Sequence, residues 1–264
     1  RSSVAWSVQR NSSVMADRPI IFSAPMVRAL LAGRKTQTRR LTSSPLARCA
    51  VGDRLYVREG WWIATRYSYG STPGGDELPP PPLARRGRDP VHYAVAGDPP
   101  NVENRHYGPE GLRPGSGAFA APDPYATWRR YPSIHMPRWA SRLTLMVEAV
   151  KVDPLHEINE ADALAEGAVF TDFGRYQPRG TASLDGGRSW HPMAERQHNG
   201  WHMADVAGPG ECMASPQGAF ANIWSQLHDK PGERWQDNPD VVALTFRVVA
   251  GNIDTLAPFA MEGA

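Results

Sequence analysis

The chain has few cysteines and no long apolar segment, and these absences argue against a disulfide-rich protein and against a membrane-spanning helix. Cys49 and Cys212 are the only cysteines among 264 residues, too few for a disulfide framework, which favours a reducing cytoplasm. No stretch approaches the roughly 20 apolar residues that cross a bilayer, so no membrane partner is expected. The sequence also lacks a phosphate-binding glycine loop, a dinucleotide fingerprint and a Gly-x-Ser-x-Gly elbow. We therefore expect no cofactor.

One segment, residues 191–212, contains side chains that could bind a metal ion. His191, His198, His202 and Cys212 lie close together in the sequence. His198 and His202 are four residues apart, a spacing that brings two ligands together on a helix. The Asn-Gly pair between them disfavours a helix, and no paired cysteine motif exists. The sequence therefore predicts no metal site.

Proline and glycine are abundant, and they divide the chain. Twelve of the 25 prolines fall between Ser71 and Pro124, a density at which we expect no packed element apart from a possible short strand over Val91–Val95. We predict two insertions, at about residues 67–128 and 168–214, within a single domain over residues 18–250. Residues 1–17 are expected to form a disordered extension and residues 251–264 a tail.

Charge is distributed unevenly although the net charge is only +2. Residues 1–150 hold 21 of the 29 Lys and Arg residues but 11 of the 27 Asp and Glu residues, a balance of +10. Residues 151–264 therefore carry −8. Ordinary surface pairs between the halves would cancel part of this difference. The alternative is a positive surface that binds polyanions.

The stretch Gly33–Arg40, GRKTQTRR, is the richest in cations and hydroxyls. It follows the segment PMVRALLA, whose apolar residues recur at helical spacing and whose proline suits a first helical turn. Gly33 can adopt the left-handed conformation that ends a helix. The pattern thus predicts a short helix that holds Lys35 and Thr38 at a fixed position.

Three further segments are predicted as strands and two as helices. Arg54–Glu59 and Leu143–Val152 alternate as strands do, and Val241–Val249 is β-branched and nearly apolar throughout. A short helix is predicted over Ile158–Glu166, with Asn159 as its N-cap, and a longer one opens at Ser215-Pro216. Strands outnumber helices and each helix is short. We therefore expect an α+β fold built on a small β-barrel with short helices on its flanks.

Taken in order, these blocks resemble the ASCH domain family of the PUA-like superfamily, in the subtype often encoded by phages and prophages. The matching segments are GRKTQTRR, VGDRLYVREGWW, YPSIHMPRWASRLTL, INEADALAEGA, FANIWSQL and VVALTFRVV. The resemblance implies a compact PUA-like β-barrel with a cleft beside the first helix. That cleft would suit RNA, DNA, a modified nucleobase or a nucleoside.

Some small members of the family look like amidohydrolases that act on N4-acylated cytidine. The resemblance implies that Lys35, Thr38 and Glu166 occupy the positions of their working residues. A lysine acts as a base only if its pKa is lowered, which burial and the neighbouring arginines could achieve. If Glu166 or Glu59 pairs tightly with Lys35, the lysine stays charged. The site would then bind its ligand without hydrolysing it.

A wider set of residues is predicted to contact nucleic acid. Arginines hold phosphates through salt-dependent contacts, and tryptophans stack on bases. The alternatives are a charged exterior for the arginines and core packing for the tryptophans. The candidates are Arg34, Arg39, Arg40, Arg58, Glu59, Trp61, His135, Arg138 and Trp139.

Three functions therefore stay open at this point. The first is recognition of a nucleic acid or modified nucleobase, above all RNA. The second is an amidohydrolase that removes the acyl group from N4-acylated cytidine-type nucleosides. The third is a non-catalytic phage or prophage accessory protein whose proline-dense segments contact other proteins.

Overall fold

The computed structural model describes residues 15–66, 91–99, 104–108, 111–120, 126–183 and 185–256. The chain divides into two compact units. Residues 1–28, 49–149 and 246–264 form the first unit, and residues 29–48 and 150–245 form the second. The expected single domain stays a prediction beside this division. Residues 1–14 of the expected disordered extension, and residues 257–264 of the expected tail, lie outside the described residues.

The regular elements of the described residues are mostly strands, with few helices. In chain order the strands are β1 Asp17–Ile21, β2 Gln37–Leu41, β3 Arg54–Arg58, β4 Trp61–Arg66, β5 Val91–Tyr93, β6 Asn104–Gly108, β7 Gly111–Ala120, β8 Ala126–Tyr131, β9 Leu143–Pro154, β10 Val169–Tyr176, β11 Thr181–Ala182, β12 His191–Pro192, β13 Arg196–His202 and β14 Asp240–Ala250. The α-helices are α1 Ala24–Leu31, α2 Glu160–Ala165 and α3 Pro216–Leu227. Short 3-10 helices lie at Pro45–Arg48, Ala94–Ala96, Ser133–His135, Arg138–Ala140, Leu155–Glu157, Pro209–Glu211 and Trp235–Asp237.

The first unit contains two groups of paired strands. β1 runs parallel to β3, and β3 pairs antiparallel with β9. β5, β4, β8, β7 and β6 form an antiparallel sheet in that order. β3 confirms the predicted alternation, since Leu55 and Val57 are buried and their neighbours are half-buried. Pro19 in β1 has no N–H to donate to a further strand, which fits a position at the edge of a sheet.

In the second unit, β2 pairs antiparallel with β14, and two short ribbons join β10 to β13 and β11 to β12. α2 begins as predicted: the Asn159 side chain accepts from the Asp162 N–H, and the Asp162 carboxylate accepts from the Asn159 N–H. α3 has Ser215 as its N-cap and buries Phe220 and Trp224. These helices carry the residues that contact β2.

Two expectations differ from the structure. The closed barrel is wrong, because the described strands form open sheets in which β1 pairs only with β3 and β2 only with β14. Alternation within a strand shows which face is buried, but it does not show whether the last strand meets the first. The proline-dense stretch, where we expected no packed element beyond Val91–Val95, also contains β6 and β7. Much of that stretch, including residues 67–90, lies outside the described residues.

Candidate functional site

Lys35 is held in place by the end of α1, as the sequence predicted. Gly33 has φ +69°, the left-handed conformation that ends a helix, and its N–H donates to the Leu30 carbonyl at 3.0 Å. The Lys35 N–H donates to the Ala29 carbonyl at 3.1 Å, and the Thr36 N–H donates to the Ala165 carbonyl at 2.8 Å. The chain after α1 is therefore fixed to the end of α2 before β2 begins.

Lys35 is 1% exposed, and its side chain reaches Glu166, which is 3% exposed. Its Nζ donates to the Glu166 Oε2 at 2.8 Å, to the Glu166 carbonyl at 2.7 Å and to the Gln37 carbonyl at 2.9 Å. The structure thus brings together the lysine and the glutamate that the family resemblance paired. Thr38 is also fully buried in this unit.

Arg39 joins the same group of buried charges. Its Nη2 lies 2.8 Å from the Asp162 Oδ2, and its Nη1 lies 3.4 Å from the Glu166 Oε1. Nη1 also donates to the Gln37 side-chain oxygen. We call Lys35, Arg39, Asp162 and Glu166 the charged cluster. Because it holds two cations and two carboxylates, it balances its own charge, and Arg39 is engaged within the protein rather than presented to a phosphate.

The protonation state of Lys35 decides what the cluster can do. Burial lowers the pKa of Lys35, and the neighbouring Glu166 carboxylate opposes that change. The three acceptors within 2.9 Å of Nζ match the three N–H donors of an ammonium group. A neutral amine would direct its lone pair at one of these oxygens. The geometry therefore favours a charged Lys35, whose three donors are all bonded to protein oxygens.

Arg40 and Arg34 lie nearer the solvent than Arg39. Arg40 is half-buried, and its Nη1 donates to the Thr38 Oγ1 at 2.7 Å and to the Arg39 carbonyl at 2.8 Å. Arg34 is exposed, and its Nη1 donates to the Gly167 carbonyl at 3.4 Å. The buried hydroxyl of Thr38 thus orients a guanidinium, a role that the sequence did not assign to it.

Six other predicted residues belong to the first unit. Glu59 is buried and accepts from Arg142, with Oε1 at 2.9 Å from Nε and Oε2 at 3.1 Å from Nη2. Burial raises the pKa of Glu59, and Arg142 opposes that change. The Arg142 guanidinium also lies 3.9 Å from the centre of the Tyr93 ring. Arg58 donates to the carbonyls of Met136 and Ile134. Both charged side chains are thus engaged in contacts with the protein.

Trp61 and Trp139 differ in exposure. Trp61 is fully buried and packs with Ile63, Met136 and Ala140, so its ring fills the core instead of offering a face to a base. Trp139 is half-buried and meets the Trp61 ring edge-on at 6.3 Å.

The two remaining candidates of this unit, His135 and Arg138, lie near the surface. His135 is exposed. Arg138 is half-buried, and it pairs with Asp17 and with Asp254. The carboxylates thus hold the guanidinium of Arg138 in an ion-pair chain.

Sequence reasoning missed two members of the site. Asp162 entered the analysis only as a capping residue of α2, and Gln37 did not enter it. The signal for Asp162 was its spacing, since Asp162 and Glu166 are four residues apart and lie on one face of a helix turn. Two carboxylates on one face, beside a segment with a lysine and three arginines, predict a cluster of ion pairs.

Comparisons of the chain with protein-family models, curated proteins and solved structures find no match. Within the described ranges, no group of three or more His, Cys, Asp or Glu side chains is arranged to hold a metal ion. None of the helices in that part of the chain has the length and apolarity that a membrane crossing requires.

Proposed function

We propose that this chain recognises a nucleic acid or a modified nucleobase, above all RNA, as a cytoplasmic ASCH-type, PUA-like protein. The observation that carries the proposal is the placement of Arg40. Arg40 is half-buried, and its guanidinium is oriented by the Thr38 hydroxyl at 2.7 Å, on a strand that ends its sheet. Burial lowers the pKa of Arg40, and the Glu166 carboxylate opposes that change. Guanidinium groups present N–H donors in a fixed fork that suits phosphate oxygens and base edges.

The charged cluster supports this role by fixing β2. Breaking a buried ion pair leaves an uncompensated charge, so Lys35, Glu166 and Arg39 hold one another in a single arrangement. Arg40 follows Arg39 directly and gains a defined position at little further cost in side-chain entropy. A preorganised cation loses less freedom when a ligand binds.

Binding of labelled oligonucleotides tests the proposal. We expect fluorescence anisotropy to show salt-sensitive binding of RNA or DNA by the wild type, with Arg40→Ala weakening it by about 5- to 100-fold, the effect of about 1–3 kcal/mol for one arginine contact. Arg48→Ala is the matched control, because Arg48 is an exposed arginine in the same unit. Absence of binding by the wild type, or an equal loss in the control, would contradict the proposal.

A second candidate function rests on the contact of 2.8 Å between the Lys35 Nζ and the Glu166 Oε2. In an amidohydrolase, water would attack the acyl carbon, and the bond to the exocyclic nitrogen of cytidine would break. Lys35 would need a neutral amine for this work, and its three acceptors favour the ammonium. We therefore rank hydrolysis second to binding.

Chromatography of N4-acetylcytidine incubated with the protein separates the two functions. Release of cytidine and acetate, lost in Lys35→Ala, would favour the hydrolase. Because Lys35 is buried, Thr38→Val serves as a second variant that keeps a branched side chain and replaces the hydroxyl with a methyl group. Tight binding of the nucleoside without turnover would favour recognition.

A further inference from the structure

The ribbon formed by β10 and β13 has two unlike faces. Directly paired residues of antiparallel strands share a face, and Phe170 pairs with Trp201, Asp172 with Asn199, and Arg175 with Gln197. The Gln197 side chain donates to the Asp172 carboxylate, which places these two residues on the same face as well. We call this face the open face; it consists of Phe170, Asp172, Arg175, Gln197, Asn199 and Trp201.

The other face of the ribbon is covered. Thr171 pairs with Gly200, and its hydroxyl lies 2.8 Å from the Nε2 of His202. Gly200 is buried, and a Cβ at this position would lie 2.5 Å from the Cβ of Cys212. The segment around Cys212 thus packs on this face, and β13 is bridged to it at Trp201 and Met213. Packing on one face leaves the aromatic pair on the side that faces solvent.

The open face exposes an aromatic ring among hydrogen-bonding groups. Phe170 is 46% exposed, and its ring meets the half-buried Trp201 ring edge-on at 5.4 Å. The side chains of Asp172, Gln197 and Asn199 are exposed beside it. Exposed rings on a strand surface stack on unpaired bases, and neighbouring amide and carboxylate groups bond to base edges.

We infer that the open face stacks and contacts the bases of a single-stranded nucleic acid. This inference rests on the proposed function, because it takes nucleic acid as the ligand. β10 begins three residues after Glu166, so the strand that carries Phe170 leaves the charged cluster directly. The residue next to Glu166, Gly167, would place a Cβ 3.5 Å from the Cβ of Lys35, which shows how closely this connection approaches the lysine.

The side chains around the aromatic pair decide the kind of occupant. Arg175 and Asp172 are the charged residues of the open face, and they offset each other. Protein interfaces bury an apolar centre. The open face instead has one aromatic pair surrounded by four polar side chains, which fits a base with polar edges better than an apolar protein surface.

Variants on the two faces of the ribbon provide the test. We expect Phe170→Ala to weaken binding of single-stranded 12-mers by about 5- to 100-fold, the range measured when a stacked ring is removed. Phe170→Tyr keeps a ring and should bind like the wild type. Tyr176→Ala is the matched control, because Tyr176 is 37% exposed and its ring contacts His198 on the covered face. RNA and DNA 12-mers, measured in parallel, distinguish the two sources of bases.

The outcomes separate this inference from the proposed function. The base-stacking role predicts that Phe170→Ala leaves binding of a free nucleoside unchanged, whereas Arg40→Ala weakens both nucleoside and 12-mer. If only Arg40→Ala has an effect, the inference fails and the proposed function stands. If only Phe170→Ala has an effect, the ribbon binds but the Arg40 site does not. If sedimentation shows that Phe170→Ala dissociates a dimer while 12-mer binding is unchanged, the open face is an interface between copies and the inference is overturned.

Discussion

Two buried glutamates, one in each unit, show how differently the same side chain can be held. Glu166 lies between two cations that are themselves buried, Lys35 and Arg39. Glu59 accepts both of its hydrogen bonds from Arg142, whose side chain is 29% exposed. Arg142 can therefore turn to water if the carboxylate is lost, whereas Lys35 and Arg39 cannot.

The different surroundings of the two glutamates suggest different roles for the Glu59–Arg142 pair and the charged cluster. The Glu59 pair satisfies one carboxylate and packs Arg142 against the Tyr93 ring. The charged cluster uses four ionisable groups to fix β2. Burying these charges costs desolvation free energy that apolar residues would not cost. A buried cluster with this cost is a stronger candidate for a functional role than a single ion pair. We therefore propose that the function lies near Glu166 and that Glu59 has a structural role.

The largest expected effect comes from replacing each glutamate with glutamine. Glu166→Gln should lower the free energy of unfolding by about 3 kcal/mol, because it leaves two buried cations facing a neutral amide. Glu59→Gln should cost only about 1 kcal/mol, since Arg142 keeps one hydrogen bond and has access to water. Urea unfolding of both variants measures the difference. Equal losses would remove the distinction between the two glutamates.

The next effect concerns the connection between Glu166 and β10. Gly167 has φ +105°, and an added Cβ would lie 3.3 Å from the Cβ of Ala29. Gly167→Ala should therefore destabilise the protein by about 2 kcal/mol, through the left-handed backbone and the tight contact with Ala29. Gly186→Ala is the control: its φ is +72° and nothing lies within 4 Å of the added Cβ, so about 1 kcal/mol is expected. Urea unfolding measures both losses, and a smaller loss at Gly167 than at Gly186 would show that the contact with Ala29 adds no strain.

A smaller effect is expected at the start of α2. Asn159→Ala removes the side chain that accepts from the Asp162 N–H at 2.8 Å, and a lost N-cap costs about 1 kcal/mol. Asp162 also pairs with Arg39, so the cap variant should loosen the charged cluster. Thermal unfolding gives the stability, and anisotropy gives the affinity for RNA. Ser215→Ala removes the cap of α3 by the same chemistry and should leave the affinity unchanged.

Local features of the fold were predictable from the sequence, and closure of the sheet was not. Gly33, Asn159 and Ser215 ended or began helices as expected, because caps and left-handed glycines depend on a few adjacent residues. The pairing of strands depends on contacts between distant segments. Burial also depends on distant segments. In α3, Leu227 has helical spacing with Phe220 and Trp224, which predicts one buried face, but Leu227 is 71% exposed.

The part of the site that was predictable from the sequence is the ion pair, because a buried charge needs a partner of opposite charge. A lysine beside arginines needs a carboxylate if it is buried, and Glu166 supplies one. The wider set of nucleic-acid candidates was divided between units because charge and aromaticity do not reveal burial. The sequence alone does not distinguish Trp61 from Trp139, or Arg58 from Arg40. In the structure, Trp61 packs in the core and Arg58 donates to backbone carbonyls.

The smallest predicted effect is a pH dependence of stability that belongs to Glu59. Burial raises the pKa of Glu59, so the folded state binds its proton more tightly than the unfolded state. Stability then falls as the pH rises from the ordinary glutamate value, about 4.3, through the raised folded value, and Glu59→Gln removes this fall. Urea unfolding of both proteins from about pH 4 to pH 7 should show the stability advantage of the wild type shrinking as the pH rises. An advantage that grows with pH would mean that Arg142 dominates the carboxylate and that the Glu59 pair resembles the charged cluster after all.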